Sequence, residues 1–260
     1  MSDDEIIKKD PWQSLKQLTS ARIALGRTGH SLPTHEILQF GFAHALTKDA
    51  IYTELNSKFL EDELMKYHFS VLNVFSQANS KKTYLMNPNL GRNLTQDSES
   101  LLAIQTLKPN SVAIIFGDGL SATAIHKHAI PLLLEFNSLL KESLQFSLSP
   151  IIIAKYARVG LSDVIGEKLN CIASIIFIGE RPGLSSPDSL GIYLTWQPKI
   201  GKKDSERNCI SNIRQQGLSY KTAAFKTFWL LNAAAKINAS GITLKDESPL
   251  NADYLSTHLG

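Results

Sequence analysis

The sequence predicts an α/β fold in which a largely parallel sheet carries helices on both faces, preceded by a helical N-terminal region. Two observations support this class. After about residue 97, short apolar runs typical of buried strands alternate with stretches of helical periodicity. Before about residue 60, the pattern is helical instead. We therefore divide the chain into residues 1–95, the N-terminal helical region, and residues 96–260, the α/β domain.

In the N-terminal region, residues 1–10 are expected to form a loose arm. A first helix is predicted from an apolar stripe that Gly26 interrupts, formed by Leu15, Leu18, Ile23 and Leu25. Thr34 predicts the start of a second, capped helix, and a polar, turn-rich link at residues 27–33 separates the two. Residues 71–75 and 83–85 are predicted as short strands.

In the α/β domain, strands and helices follow one another in a regular order. Strands are predicted over residues 112–116, 150–154, 171–178 and 193–196. Helices are predicted over residues 98–107, 121–141, 162–169 and 219–236. Ser121 and Ser219 are placed at helix N-caps, where a hydroxyl accepts a hydrogen bond from a free backbone N–H. Apolar strands that alternate with amphipathic helices indicate a sheet covered on both faces.

Composition excludes several classes of protein. The chain has 260 residues, of which 43% are hydrophobic and 20% charged, and a net charge of +3, which gives no electrostatic case for nucleic acid. No apolar run reaches the roughly 20 residues of a membrane helix, and residues 1–10 do not resemble a secretory signal. Two cysteines without C-x-x-C spacing argue against a disulfide scaffold or structural zinc and favour the reducing cytoplasm.

The carboxyl ends of the predicted parallel strands carry clusters of glycine and polar residues. They are GDG at residues 117–119, RVG at residues 158–160 and GERPG at residues 179–183. Because parallel βα units collect ligands at this edge of a sheet, the three clusters are expected to converge on one crevice. Neither G-x-G-x-x-G nor a Walker lysine motif is present. For Asp118, a helix-capping role is favoured over ligand contact.

A long punctuated segment, residues 179–214, follows the apolar run at 175–178 and is predicted to hold a ligand site. Glu180 has two interpretations. It either pairs with Arg181 at the surface or accepts hydrogen bonds from ligand hydroxyls or amides. Cys209 is expected in a polar loop. An inert role is less expected for a thiol in such a loop, so a role in contacting a ligand is favoured. Cys171 is expected to be a small buried hydrophobic residue.

The histidines and nucleophiles do not form a recognisable catalytic set. His126 and His128 are two residues apart and point to different faces of a helix, and His30 and His35 lack a carboxylate partner at ligand spacing. We therefore expect structural or solvent-exposed histidines. No G-x-S-x-G elbow or other nucleophile motif occurs.

Five motifs occur in an order that closely resembles the small (light) subunit of ethanolamine ammonia-lyase. They are TSARIALGRTG at residues 19–29, PNLGR at 88–92, DGLS at 118–121, GERPGL at 179–184 and RNCISNI at 207–213. The resemblance extends from about residue 11 to 241, and the last two motifs together are specific. It implies a Rossmann-like, cobalamin-binding domain at residues 96–260 and an N-terminal region that contacts a partner subunit.

The resemblance also implies an activity and its cofactor. Ethanolamine is converted to acetaldehyde and ammonia with adenosylcobalamin, in the barrel of a separate large subunit that binds the substrate. The small subunit holds the cofactor from its nucleotide side, and the family's contacts carry over to Val159, Glu180 and Cys209. The chain lacks D-x-H-x-x-G, which agrees with base-on binding in this family. Some enteric relatives carry a longer extension linked to a bacterial microcompartment, whereas ten residues precede Pro11 here, so packaging is less expected than a free cytoplasmic location.

Two other functions remain as alternatives from the residues alone. The first is a self-sufficient Rossmann-like enzyme with a nucleotide cofactor. The absence of a glycine fingerprint and of an acid/base pair argues against it. The second is a non-catalytic interaction or scaffold protein, against which the ligand-facing loops count. Whether a larger barrel-type chain is encoded next to this one separates the three functions.

Overall fold

The computed structural model describes residues 7–19, 21–143 and 145–249. Residues 1–6 of the predicted arm, Ser20 of the first motif and the end of the predicted second domain lie outside these ranges. Seven strands are present in the described residues, namely β1 (Val71–Phe75), β2 (Ser111–Gly117), β3 (Ser147–Leu148), β4 (Ile151–Lys155), β5 (Ala173–Gly179), β6 (Leu190–Trp196) and β7 (Asn208–Ile213). The α-helices there are α1 (Thr34–Tyr52), α2 (Ser57–Lys66), α3 (Lys81–Met86), α4 (Gln96–Ala103), α5 (Ala122–Ser143), α6 (Leu161–Lys168) and α7 (Tyr220–Ile237).

The strands form one mixed sheet in the order β1-β4-β2-β5-β6-β7, with β3 beside the start of β2. The pairs β1–β4, β4–β2, β2–β3 and β2–β5 are parallel, whereas β5–β6 and β6–β7 are antiparallel. The α/β class is confirmed, but a Rossmann-like topology is not. The reason lies in residues 180–189, a connection too short for the crossover that a parallel partner of β5 requires.

Helices cover the sheet on both faces. The larger hydrophobic cluster includes Ile175 and Phe177 of β5 together with residues of α5 and α7. The alternate residues Ile176 and Ile178 belong to a second cluster with α4 and α6. Successive side chains of a strand point to opposite faces, so a central strand buried on both sides is apolar throughout. This is why the apolar run at 171–178 could be recognised as a strand.

Several predicted elements match the structure closely. The strands at 71–75, 112–116, 150–154 and 193–196 are present, and β1 shows that residues before 95 contribute an edge strand to the sheet. Ser219 caps α7 through its side chain, which accepts from the N–H of Thr222 at 3.1 Å. The predicted strand at 83–85 is wrong, because those residues lie in α3, whose N-cap Ser80 accepts from the N–H of Thr83 at 3.1 Å.

The first predicted N-terminal helix is also wrong. In the described part of this stretch, Gln13–Gln17 form a short 3₁₀ helix, and Ala24 has a left-handed φ of 49°, which an α-helix cannot include. Lys8 and Arg27 instead exchange two backbone hydrogen bonds of 2.8 and 3.0 Å. The apolar stripe is not buried as one helical face, since Leu18 is 82% and Leu15 39% exposed, whereas Ile23 and Leu25 are half-buried. Packing, more than periodicity, stabilises a helix of this length.

The second N-terminal helix, α1, is confirmed, although Pro33 rather than Thr34 occupies its N-cap. Among the described residues, no helix is long and apolar enough to cross a membrane.

Candidate cofactor-binding site

The carboxyl ends of β2, β4 and β5 meet at one edge of the sheet. Asp118, directly after β2, accepts at Oδ1 from the backbone N–H of Ala157, which follows β4, at 2.9 Å. On its other side, Leu120 N–H donates to the carbonyl of Gly179, at the end of β5, at 3.0 Å. The three glycine-containing clusters therefore lie together, as the sequence predicted. These bonds fix the loop after β4, which carries Val159, and the loop after β5, which carries Glu180.

Asp118 joins strand ends and does not cap the following helix, so the capping prediction is wrong. The side chain is 1% exposed, and Oδ2 has no hydrogen-bond partner within the described residues. Burial raises the pKa of Asp118 to about 6, against the opposing charge of Lys81. Gly119 is required next to it, because a Cβ there would lie 2.3 Å from the carbonyl oxygen of Gly179.

Glu180 begins the β5–β6 connection and is half-buried. Its carboxylate accepts from Ser189 Oγ at 2.5 Å, from Ser211 Oγ, and from the N–H of Asn212 at 3.3 Å. In the ranges that the structure covers, no ion pair joins it to the exposed Arg181, which disfavours the surface-pair interpretation. Donors from β6 and β7 thus hold a carboxylate in one place at the edge of the sheet, with part of its surface open.

A glycine on β6 gives this carboxylate room. A Cβ at Gly191 would lie 3.0 Å from Glu180 Oε1, closer than nearly all real contacts. Any larger residue at this position would push the Glu180 side chain away from the strand.

Cys209 lies on strand β7 and not in a polar loop, so that prediction is wrong. Its neighbour Ile210 belongs to the larger core, which leaves the thiol on the other face, exposed and opposite Tyr193 of β6. On this side α6 contacts β5 and β2, and the faces of β6 and β7 lie beyond it. Alternate positions of β6 and β7 therefore form one surface, the β6–β7 face, made by Gly191, Tyr193, Cys209 and Ser211, which is open to solvent at Cys209 and Ser211.

The electrostatics of this face keep its groups neutral. Partial burial raises the pKa of the Cys209 thiol, and the charge of Glu180 adds to this effect. Burial raises the pKa of Tyr193 as well, and its hydroxyl and the thiol are hydrogen-bonded to each other. A thiol with a raised pKa is a poor nucleophile, so Cys209 suits van der Waals and hydrogen-bond contact with a ligand.

Val159 lies in the loop between β4 and α6 and packs against the same hydrophobic cluster as Tyr193. A buried ion pair brings this loop close to β7. Arg207, the residue before β7, donates to Asp163 in the first turn of α6, and both side chains are 3% exposed. The pair thereby holds the segment of Cys209 beside the loop of Val159.

Glu180 and Cys209 both interact with one side chain, that of Tyr193, and Val159 packs against the same hydrophobic cluster as this tyrosine. The sequence analysis did not identify Tyr193, or Ser189 and Ser211, as parts of this site. Tyr193 could have been found from the alternation of residues 190–196, in which every second side chain is buried in the larger core. The two serines carried no signal, because their bonds to Glu180 span 9 and 31 residues.

The described histidines hold structural or solvent positions. His126 Nε2 accepts from the backbone N–H of Asn56 at 2.9 Å, His128 Nδ1 lies 2.7 Å from the hydroxyl of Tyr220, and His35 contacts Gln39. Within the residues described here, no group of three or more His, Cys, Asp or Glu side chains is arranged to hold a metal ion.

Comparison with known proteins identifies the family. A model of the ethanolamine ammonia-lyase light chain family matches residues 9–245. The chain is 43% identical over 243 residues to the ethanolamine ammonia-lyase small subunit of Pseudomonas fluorescens strain Pf-5, which covers 92% of this chain and 88% of the relative. Identity to the same subunit is 43% over 254 residues in Pseudomonas aeruginosa strain LESB58, covering 94% and 90% of the two chains. It is 44% over 254 residues in Azotobacter vinelandii strain DJ, covering 95% and 93%. The chain therefore belongs to the ethanolamine ammonia-lyase small (light) subunit family.

Proposed function

We propose that this chain is the small subunit of an adenosylcobalamin-dependent ethanolamine ammonia-lyase, which converts ethanolamine to acetaldehyde and ammonia. In this proposal the chain holds the cofactor, base-on, from its nucleotide side through Val159, Glu180 and Cys209. The observation that supports it best is the fixed carboxylate of Glu180 beside the open β6–β7 face.

The chemistry of the residues present fits this cofactor. A corrin carries amide side arms and the nucleotide carries ribose hydroxyls, all of which donate hydrogen bonds. Glu180 offers a charged acceptor that Ser189 and the β7 backbone already hold in place through hydrogen bonds. Its side chain therefore loses little conformational freedom when the ligand binds. Val159, Tyr193 and Cys209 offer apolar or weakly polar surface to the ring edge.

The roles of the two subunits follow from the same proposal. When bound, adenosylcobalamin supplies an organic radical, and the large subunit is assigned the binding of ethanolamine and the enclosure of the reacting groups. This chain orients the cofactor and shields its lower side. We propose a cytoplasmic location for the assembly, which cell fractionation tests.

The N-terminal region is proposed to contact the large subunit. Helix α1 exposes a set of large apolar side chains, namely Ile37 (52%), Leu38 (67%), Phe40 (45%), Phe42 (66%) and Leu46 (41%). Exposed apolar groups on one element mark interaction surfaces in soluble proteins. The predicted partner region thus has the surface chemistry that a stable subunit interface uses.

Co-expression with an ethanolamine ammonia-lyase large subunit tests the proposal. We expect ethanolamine deamination that requires both chains and adenosylcobalamin, and none from the small chain alone. Turnover by the purified small chain alone would favour the self-sufficient alternative, and failure of the pair to react would remove the proposed activity.

The interface is tested by co-purification. Deletion of residues 1–30 or Phe42→Ser should reduce recovery of the large subunit. Ile104→Ser, at an equally exposed apolar residue outside α1, is the matched control and should not. Full stoichiometric recovery of the large subunit with both N-terminal variants would contradict the assignment of the interface to this region.

A further inference from the structure

A cavity of about 550 Å³, whose lining shares no residue with the β6–β7 face, lies between the first half of α5, the start of α7 and the loops after β5 and β7. Its lining includes Lys127, His128, Asp188, Arg214, Gln216 and Tyr220. This volume falls in the range of small-molecule sites, and the proposed cofactor function uses none of these side chains.

Hydrogen-bond donors and positive charge predominate in the lining. Lys127 forms an ion pair with Asp188 at 2.8 Å, so these two charges offset each other. Arg214 adds a further positive charge, and its bonds go to uncharged groups, the side chain of Asn212 at 2.8 Å and the carbonyl of Ser185 at 3.3 Å. The cavity thus has the composition that favours an oxyanion.

One buried group in the wall has an unmet hydrogen bond. His128 is 5% exposed, its Nδ1 lies 2.7 Å from the hydroxyl of Tyr220, and its Nε2 has no partner among the described residues. Asp188 Oδ2, which accepts from Lys127, lies 3.7 Å from Nε2, too far for a hydrogen bond. Burial lowers the pKa of His128 and keeps the ring neutral, so when Tyr220 donates to Nδ1, the ring proton lies on Nε2.

We propose that this cavity binds a phosphate group, held by Lys127 and Arg214, separately from the Glu180 site. A phosphate oxygen that pairs with Lys127 takes the place of Asp188, whose carboxylate then needs to move by less than about 1 Å to accept from His128 Nε2. Binding would therefore replace one ion pair by another and satisfy a buried donor that has no partner without the ligand. This exchange is the reason for preferring an anion to a neutral ligand here.

The phosphate group has two sources, free phosphate or the phosphodiester of the proposed cofactor, and only the second rests on the proposed function. The probe is inorganic phosphate, added to the full chain at constant ionic strength with chloride as the control. The readout is the ring nitrogen resonances of His128, with His126 as an internal reference because its Nε2 already bonds to Asn56. We expect the His128 signals to shift and saturate with phosphate, and those of His126 to stay.

Repeating the titration with adenosylcobalamin present separates the two sources. If the cofactor's phosphodiester is the occupant, cobalamin alone shifts the His128 signals and abolishes the phosphate response. If free phosphate is the occupant, the response persists with cobalamin bound. Absence of any His128 response to either compound, at tens of millimolar phosphate, overturns the proposal whether or not cobalamin binds at Glu180.

Substitutions test which side chains hold the phosphate. Lys127→Gln and Arg214→Gln should each weaken phosphate binding about tenfold or more, because each removes a charge-assisted hydrogen bond. Lys58→Gln is the matched control, since Lys58 also forms a surface ion pair, with Asp62, but does not line the cavity. Circular dichroism confirms that each variant is folded, and an unchanged half-saturation point in both cavity variants contradicts the assignment.

Discussion

The substitution Glu180→Gln tests the candidate site at its carboxylate. Gln keeps the shape, removes the charge and replaces one acceptor oxygen by an NH₂ group. The structure indicates how the network adjusts. The remaining oxygen can stay with Ser189 Oγ and the N–H of Asn212, and the NH₂ can face Ser211 Oγ, which accepts as readily as it donates. The fold should therefore lose at most about 1–2 kcal/mol of unfolding free energy.

The cofactor should be affected more than the fold. A hydrogen bond to a charged group contributes roughly 1.5–3 kcal/mol, so its loss lowers adenosylcobalamin affinity by about ten- to a hundredfold. The saturated rate should change little, because the chemistry is assigned to the opposite face of the corrin. The assay titrates the two-subunit complex with adenosylcobalamin and follows both activity and the cobalamin absorbance retained after gel filtration.

The control for this experiment is Glu135→Gln, at an exposed glutamate on α5. It should leave both readouts at the wild-type value. An unchanged half-saturation point in folded Glu180→Gln would refute the reasoning and remove Glu180 from the site.

Three further predictions concern groups that the structure buries. Asp118 has a pKa of about 6 in the folded chain and 3.8 in the unfolded chain. Its contribution to the free energy of unfolding is therefore fully present below pH 3.8 and is lost as pH rises through 6. Wild-type unfolding free energy should thus fall by about 3 kcal/mol relative to Asp118→Asn between about pH 4 and pH 7, whereas parallel urea-melt curves would contradict this. Arg207→Gln should lower the unfolding free energy by about 3–5 kcal/mol, and adding Asp163→Asn to the same chain should restore much of this loss. Strictly additive losses in urea melts of the single and double variants would contradict a coupled ion pair. Gly191→Ala should weaken cofactor binding by crowding the site carboxylate; an unchanged affinity would show that the close approach is unimportant.

How much of the fold could be predicted depended on the range of the interactions involved. Strand β5 was identified because both of its faces are buried, which makes its sequence apolar throughout. Helix α7 was found because Ser219 caps it locally and an apolar stripe follows. The stripe before Gly26 has the same pattern, but Leu15 and Leu18 stay exposed and the stripe does not form an α-helix.

The candidate site was likewise predicted only in part. Glycines and polar residues after buried strands located Val159 and Glu180 at one edge of the sheet, since the ends of parallel strands meet there. The strand position of Cys209 was missed, because β7 is an edge strand whose outward positions are polar and resemble a loop.

The sequence by itself determined the α/β class, the order of most strands and helices, and, through five ordered motifs, the family. These depend on local periodicity and on the identities of single residues. Tertiary structure alone decided that β6 and β7 run antiparallel, that Arg207 pairs with Asp163, and that Ser189 and Ser211 hold Glu180. The physical reason is that strand pairing and buried polar contacts join residues far apart in the chain, and no local pattern encodes which partner each will find.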